Sequence, residues 1–263
     1  MSWNVPAEHP ALAPRAAVTA LTGYIAGRDA AAVRRDTGFA GTVVKLASNE
    51  GADGPFPGAV RAIEAAVTLA QRYPDAGGGP VCAALARFHG VDADEVLLGS
   101  GACAVLAHLS SAFLEAGDEV ICGHPTFHLY RLEALRMGAI PVPVALRADG
   151  SYDLEAMRKA VTARTRIVYV CTPNNPTGGI VARRELAQFL EELPARVLPI
   201  IDEAYFEYVE DSQYPTPMRI ERPSIRPAVV VRTFSKIYGL AGLRVGYALA
   251  PAPIIATCRR IQN

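Results

Sequence analysis

Neither sign of charge is in surplus: 26 Lys and Arg face 26 Asp and Glu, for a formal net charge of zero. A nucleic-acid partner calls for a basic excess, and there is none. The charges are scattered, so they read as solvated faces and not as interaction tails. Cysteine is scarce and unpatterned. Cys82, Cys103, Cys122, Cys171 and Cys258 are odd in number and form no CxxC pair. That speaks against a disulfide framework and for reduced, mostly buried thiols in a cytoplasmic protein. No run of about 18 apolar residues occurs, so no membrane span is expected. The N-terminal stretch that opens with Met1-Ser2-Trp3-Asn4 lacks a basic region leading into an apolar one, and no secretory signal is read there. Internal repeats are lacking. His124 and His128 are four apart, but Pro125 lies between them and no third ligand is evident, so no metal site is expected.

What the chain does have is apolar material. Of 263 residues 51% are hydrophobic, enough for a sizeable core. Residues 1–45 are rich in Ala and Pro, carry one amphipathic stretch over 16–25, and read as an arm. From residue 57 a regular alternation begins. Strand-like apolar runs cover 95–98, 119–122, 140–145, 166–171, 197–201, 228–232 and 243–249. Helix-like segments cover 57–71, 80–89, 104–115, 127–137, 154–161 and 184–193. Pro80 suits the first turn of a helix and Gly90 the position just past its end. Asp153 suits an N-cap, since Leu154, Met157 and Val161 come after it as a stripe at helical spacing. Strands flanked by helices imply an α/β fold with a mainly parallel sheet covered on both faces. In such sheets the ligand lies beyond the carboxyl ends of the strands. The residues just past each strand are therefore the candidates.

After the first strand, Gly99-Ser100-Gly101-Ala102-Cys103-Ala104 runs into a helix. Small residues let the backbone approach a phosphate, and free N–H groups at the helix start point at it. A plain strand-to-helix turn is the alternative. After the fourth, Thr172-Pro173-Asn174-Asn175-Pro176-Thr177-Gly178 makes a rigid turn with two Asn at its centre. After the fifth comes Asp202-Glu203-Ala204-Tyr205. A buried Asp needs a partner: a cationic ring nitrogen, or else an Arg or a helix start. After the sixth, Thr233-Phe234-Ser235-Lys236 is followed by Gly239-Leu240-Ala241-Gly242-Leu243-Arg244. Two hydroxyls, a Lys and an Arg so close together can hold a phosphate and one amine. A solvated basic loop fits poorly, because the Lys and Arg are embedded in apolar and glycine-rich sequence.

Taken in order, these strings resemble the class I/II aminotransferases of fold type I, and most of all the histidinol-phosphate aminotransferases and related actinobacterial aromatic aminotransferases. The resemblance is carried by Arg72-Tyr73-Pro74-Asp75, Pro125-Thr126-Phe127, Pro173-Asn174-Asn175-Pro176-Thr177-Gly178, Asp202-Glu203-Ala204-Tyr205, and Arg232-Thr233-Phe234-Ser235-Lys236 with Leu240-Ala241-Gly242-Leu243-Arg244. It implies a seven-stranded sheet that binds pyridoxal 5'-phosphate. It implies that Lys236 forms the Schiff base with that cofactor and then moves the proton between the substrate Cα and the cofactor's C4′. Burial beside other cations would lower the Lys236 pKa, as both tasks require. Asp202 would pair with the pyridine nitrogen and keep it protonated. Asn175 and Tyr205 would hydrogen-bond the ring's phenolic oxygen, and Phe127 would stack on its face. The phosphate cup would be the N–H groups of Ala102 and Cys103, the hydroxyls of Thr233 and Ser235, and the Arg244 fork. Tyr73 would reach the partner's phosphate across an interface, which implies a homodimer with shared sites.

Three departures accompany the resemblance. The family's Asn-Glu-Asn-Pro-x-Gly string is Asn49-Glu50-Gly51-Ala52-Asp53-Gly54 here, so the substrate is less well specified. The phosphate loop lacks the family's common Ser, Asp or Glu. Its Cys103, at a helix start, invites a depressed pKa; an inert small residue is the other reading. Family members also continue well past the position of Asn263 into a small domain. Residues 254–261 therefore read as the first turns of a connecting helix, with Ile254, Ile255 and Ile261 left without cover. The expected division is an arm over 1–45, a cofactor-binding large domain over 46–252, and the start of the connecting helix over 253–263. The expected activity is transamination of an amino acid or amino-alcohol phosphate. Histidinol phosphate or an aromatic amino acid is the expected substrate, with glutamate and 2-oxoglutarate as the partner pair. A decarboxylase of the phosphothreonine type shares these motifs. The third reading is a truncated chain that binds cofactor without turnover.

Overall fold

The Val- and Ile-rich runs become seven strands in the computed structural model, which describes residues 13–19, 21, 27–210, 214 and 228–262. They are β1 (Val96–Ser100), β2 (Glu119–His124), β3 (Ile140–Ala145), β4 (Thr165–Cys171), β5 (Leu198–Asp202), β6 (Val229–Thr233) and β7 (Val245–Leu249). They form one sheet in the order β1-β7-β6-β5-β4-β2-β3. All run parallel except β7, which is antiparallel to β1 and to β6. The mainly parallel sheet expected from the alternation is therefore present. One strand is shorter than expected: Leu243 ends a 3-10 turn, and Arg244 has φ +55° before β7 begins.

The helices are α1 (Ala16–Thr19), α2 (Ala30–Thr37), α3 (Pro57–Val67), α4 (Gly79–His89), α5 (Ala102–Phe113), α6 (Leu129–Met137), α7 (Leu154–Lys159), α8 (Arg183–Glu192) and α9 (Ala252–Arg259). The expected local signals operate. Pro80 lies in the first turn of α4 and Gly90 caps its end at φ +67°. Asp153 caps α7, accepting from the Ala156 N–H at 2.9 Å. Helix α2 was not expected, although Asp29 and Gly38 cap it in the same way. Of the amphipathic stretch over 16–25, positions 20 and 22–25 lie outside the described residues.

Alternation along the strands divides the core in two. Val229 and Val231 of β6 pack in the large cluster with Leu106 and Leu109 of α5, Tyr130 of α6 and Leu186 of α8. Val230, between them, packs in a second cluster with Cys82 and Leu85 of α4 and Tyr247 of β7. Both faces of the sheet are thus covered. Helix α9 closes one end: Ile255 and Cys258 are fully buried and Ile254 packs against the core. The uncovered face expected there is not found, except at Ile261, which is exposed. No helix among the described residues is long and apolar enough to cross a membrane.

Candidate active site

Parallel strands bring their carboxyl ends to one edge of the sheet, and a cavity of about 780 Å³ opens there. Ala102 and Cys103, just past β1, line it. So do Phe127 after β2 and Asn175 after β4. β5 contributes Asp202, with Tyr205 just beyond; β6 contributes Thr233, followed by Ser235 and Lys236. Arg244 also lines the cavity, because β7 runs the other way and starts at this edge. Ten of the eleven residues singled out in the sequence therefore share one cavity. Tyr73 stands apart, fully exposed in the chain between α3 and α4, and does not line the cavity of its own chain.

The Asp202 carboxylate is buried. Among the described residues its donors are neutral: the Tyr130 hydroxyl at 2.8 Å and the Ala204 N–H at 3.0 Å. Arg232, in the adjoining strand, pairs with Glu203 at 2.7 Å. Burial holds the Asp202 carboxyl above the usual carboxylate range, while the Tyr130 and Ala204 hydrogen bonds and the Lys236 charge pull it down. A carboxylate so placed has room for one more cationic donor on its cavity side.

Lys236 is half-buried. Its Nζ donates to the Ser48 carbonyl at 2.9 Å and lies 5.5 Å from the centre of the Tyr205 ring. Burial lowers its pKa; Cys103, Glu50 and Asp202 oppose that, and Arg244 assists. The segment carrying Ser48 lies against the turn after Lys236 because Gly239 allows it. At Gly239 φ is +65°, and a Cβ there would meet the Gly54 carbonyl at 2.3 Å. The same segment brings Asn49 Nδ2 to the Tyr205 hydroxyl at 3.0 Å. Glu50, also on the cavity wall, pairs with Lys45 at 2.9 Å.

The anion cup expected from the sequence is compact. Arg244 Nη1 reaches the Ala241 carbonyl at 3.0 Å and Ser235 Oγ at 3.5 Å. Its other nitrogen packs on Gly101, where a Cβ would lie only 2.4 Å away and where φ is +78°. Thr233 Oγ1 donates to Ser235 Oγ at 2.9 Å and accepts from the Ser235 N–H at 3.1 Å, so it orients the serine. Helix α5 starts at Ala102 and turns its first N–H groups toward the same corner. Phe127 meets Tyr130 edge-on, 5.7 Å between ring centres. A depressed thiol at Cys103 is not what the structure gives. Partial desolvation raises the pKa of this exposed residue's thiol despite the opposing Arg244 charge. Among the described residues no cluster of three or more His, Cys, Asp or Glu is set to hold a metal ion.

Sequence reasoning missed Tyr130, Ser48 and Asn49. Tyr130 sits inside a helix pattern, where nothing distinguishes a core tyrosine from one that touches a carboxylate. Ser48 acts through its backbone carbonyl, which leaves no side-chain signal. Asn49 belongs to the string noted as a departure, and its contact with Tyr205 spans 156 residues.

The sheet order, the single antiparallel strand and the cavity at the strand ends define an α/β domain with Lys236 and Asp202 in one pocket. Residues 41–263 match the sequence profile of aminotransferase class I and II, and the chain belongs to that family. A histidinol-phosphate aminotransferase of Moorella thermoacetica is 40% identical over 249 residues, 95% of this chain and 64% of that protein. An aromatic amino acid aminotransferase of Rhodococcus opacus is 45% identical over 219 residues, 83% of this chain and 60% of that protein. The chain thus spans less than two thirds of these relatives' length. Among solved structures, the histidinol-phosphate aminotransferase of Sinorhizobium meliloti in complex with pyridoxal-5'-phosphate superposes with a TM-score of 0.83. It is 27% identical, and the match covers 98% of this chain and 67% of that one.

Proposed function

We propose that residues 46–252 are the cofactor-binding domain of a cytoplasmic, homodimeric pyridoxal 5'-phosphate-dependent aminotransferase. Residues 1–45 serve it as an arm, and residues 253–263 lead toward a small domain. The observation that carries the reading is the pairing of Asp202 and Lys236 in one cavity: a buried carboxylate with only neutral hydrogen-bond donors, and an amine whose pKa burial depresses.

The residues present fit the cofactor. Asp202 would take the ring nitrogen, since its hydrogen-bond donors among the described residues are both neutral. Arg244, Ser235 and the N–H groups at the start of α5 would hold the phosphate. Asn175 and Tyr205 would take the ring oxygen, and Phe127 would cover the ring. Thr233 would support the cup through Ser235. Bound there, pyridoxal phosphate supplies an aldehyde that receives the amino group and a ring that accepts electron density from the substrate Cα. Lys236 Nζ would move the proton between the substrate Cα and the cofactor's C4′, a task suited to an amine with a lowered pKa. The Ser48 carbonyl orients that amine from the arm side. Tyr73, exposed on its own chain, is free to reach a second subunit's phosphate.

The names of the two relatives support the substrate range: histidinol phosphate or an aromatic amino acid, with glutamate and 2-oxoglutarate as the other pair. The test is to supply the protein with cofactor, glutamate and the candidate 2-oxo acids. Cofactor-dependent 2-oxoglutarate is the expected product. Carbon dioxide without 2-oxoglutarate would assign the site to decarboxylation instead.

A further inference from the structure

The proposed chemistry uses Asp202 and the 233–236 turn and leaves Glu203 and Arg232, which adjoin them, without a task. These two form a buried ion pair. Arg232 Nε and Nη2 both donate to Glu203 Oε2, at 2.9 and 2.7 Å. Glu203 is 0% exposed and Arg232 4%. The Glu203 N–H also donates to the Val231 carbonyl at 2.9 Å, so the pair bridges the ends of β5 and β6. Side chains alternate along a strand. Arg232 therefore lies on the face of Val230, which packs toward α4. Asp202 meets Tyr130 of α6 on the other face. Each member of the pair is one residue from a member of the site, with its side chain on the opposite side of the sheet.

The pair makes poor sense as simple adhesion. Apolar residues of similar volume usually stabilise a core as well or better than a buried ion pair. Its geometry is also lopsided: both donors converge on Oε2, and Oε1 has no hydrogen-bond partner among the described residues. Burial pushes the Glu203 carboxyl up to about 7 against the pull of Arg232. Glu207 and Asp202 add to the rise at Glu203, and Tyr247 and Glu207 also act on Arg232. His89, 3.0 Å from the Tyr247 hydroxyl, is driven down to about 4 by burial and by the Arg232 charge, and so is neutral near neutral pH. Glu207 accepts from the Tyr238 hydroxyl at 3.2 Å. Phe206 faces the guanidinium, its ring centre 4.0 Å away, and restricts it from one side. A forked, face-packed arginine fixes distance and orientation better than it adds stability.

We propose that the Glu203–Arg232 pair is a positioning clamp, which sets the spacing between the Asp202 carboxylate and the 233–236 turn that carries Lys236. This rests on the reading of Asp202 and Lys236 given above. Two variants test it. Arg232→Lys keeps the charge and loses the fork. The double variant Glu203→Leu with Arg232→Met removes the pair and keeps the volume. The first readout is hydrogen exchange in cofactor-free protein: protection should fall at 202–205 and 233–236 and stay unchanged in β4. The second adds pyridoxal phosphate. Affinity should drop about tenfold, the weight of about 1.4 kcal/mol. The pH midpoint of the bound cofactor's visible absorbance should move by about half a unit or more, while the double variant melts within about 5 °C of wild type. Wild-type exchange, affinity and midpoint in a folded variant would overturn the clamp. Protection lost evenly across the sheet would do the same, since that is a general stability effect. If the double variant does not fold, Arg232→Lys decides alone. If wild-type protein takes up no cofactor, the functional reading fails, and the exchange pattern still decides the clamp.

Discussion

Tyr130→Phe removes one donor from the Asp202 carboxylate and leaves the surrounding packing in place. The hydroxyl lies 2.8 Å from Oδ2, and the Tyr130 ring is stacked on Tyr169 at 4.5 Å, a contact that phenylalanine keeps. A hydrogen bond to a charged group contributes about 1.5–3 kcal/mol and one to a neutral group about 0.5–1.5 kcal/mol. The cost of the substitution therefore depends on whether Asp202 is ionised. Burial raises the Asp202 pKa above its ordinary 3.8, so the folded state holds this proton more tightly than the unfolded chain does. Stability from that group is fully present below the ordinary carboxylate range and is lost as pH rises through the folded value. The Tyr130 bond opposes burial. Without it the folded value rises further, and the loss continues to higher pH. The variant should thus be weakened more near neutral pH than in acid, by roughly 1 kcal/mol. Urea unfolding of cofactor-free wild type and variant across a pH series measures this. A penalty independent of pH, or one larger in acid, would refute the reasoning.

Two further substitutions probe the cup and the interface. Gly101→Ala should cost about 1–3 kcal/mol for its positive-φ, extended-ψ backbone, and the new methyl would push the Arg244 guanidinium aside. Phosphate-containing ligands should bind it less tightly, and unchanged binding of pyridoxal phosphate would separate Arg244 from the cup. Mixing Tyr73→Phe with Lys236→Ala chains should yield heterodimers in which both lesions fall in one site and the other site is intact, so the mixture exceeds the average of its parents when one chain is titrated against the other. A mixture whose activity is the plain average of its parents would return Tyr73 to its own chain.

The strand ends were the legible part of this protein. A parallel sheet must present ligand-binding residues at one edge, and short strings such as Asp202-Glu203-Ala204-Tyr205 sit where a continuous apolar run stops. Arg244 shows where that reasoning gives out. The run over 243–249 reads as strand, yet its first two residues form the turn that aims the guanidinium. A left-handed backbone at an arginine has no local signature, because tertiary contacts with Gly101 and Ser235 hold it there. Helix α2 escaped notice because only its caps, Asp29 and Gly38, mark it, and none of its residues is buried to leave an apolar stripe. Tyr130 and Ser48 were hidden for a different reason. Each meets its site partner far away in the chain, across 72 and 188 residues respectively, and one does so through backbone alone. Cys103 at a helix start left two readings open, and its raised pKa supports the inert small residue.

The central claim is that Lys236 carries the cofactor, and it can be met head-on. Protein incubated with pyridoxal phosphate is reduced with borohydride, digested, and its peptides mapped by mass. The predicted result is one pyridoxyl group on Lys236, whose amine is depressed by burial and lies in the same cavity as Asp202. A label on Lys45 or Lys159, or no label at all, would contradict it.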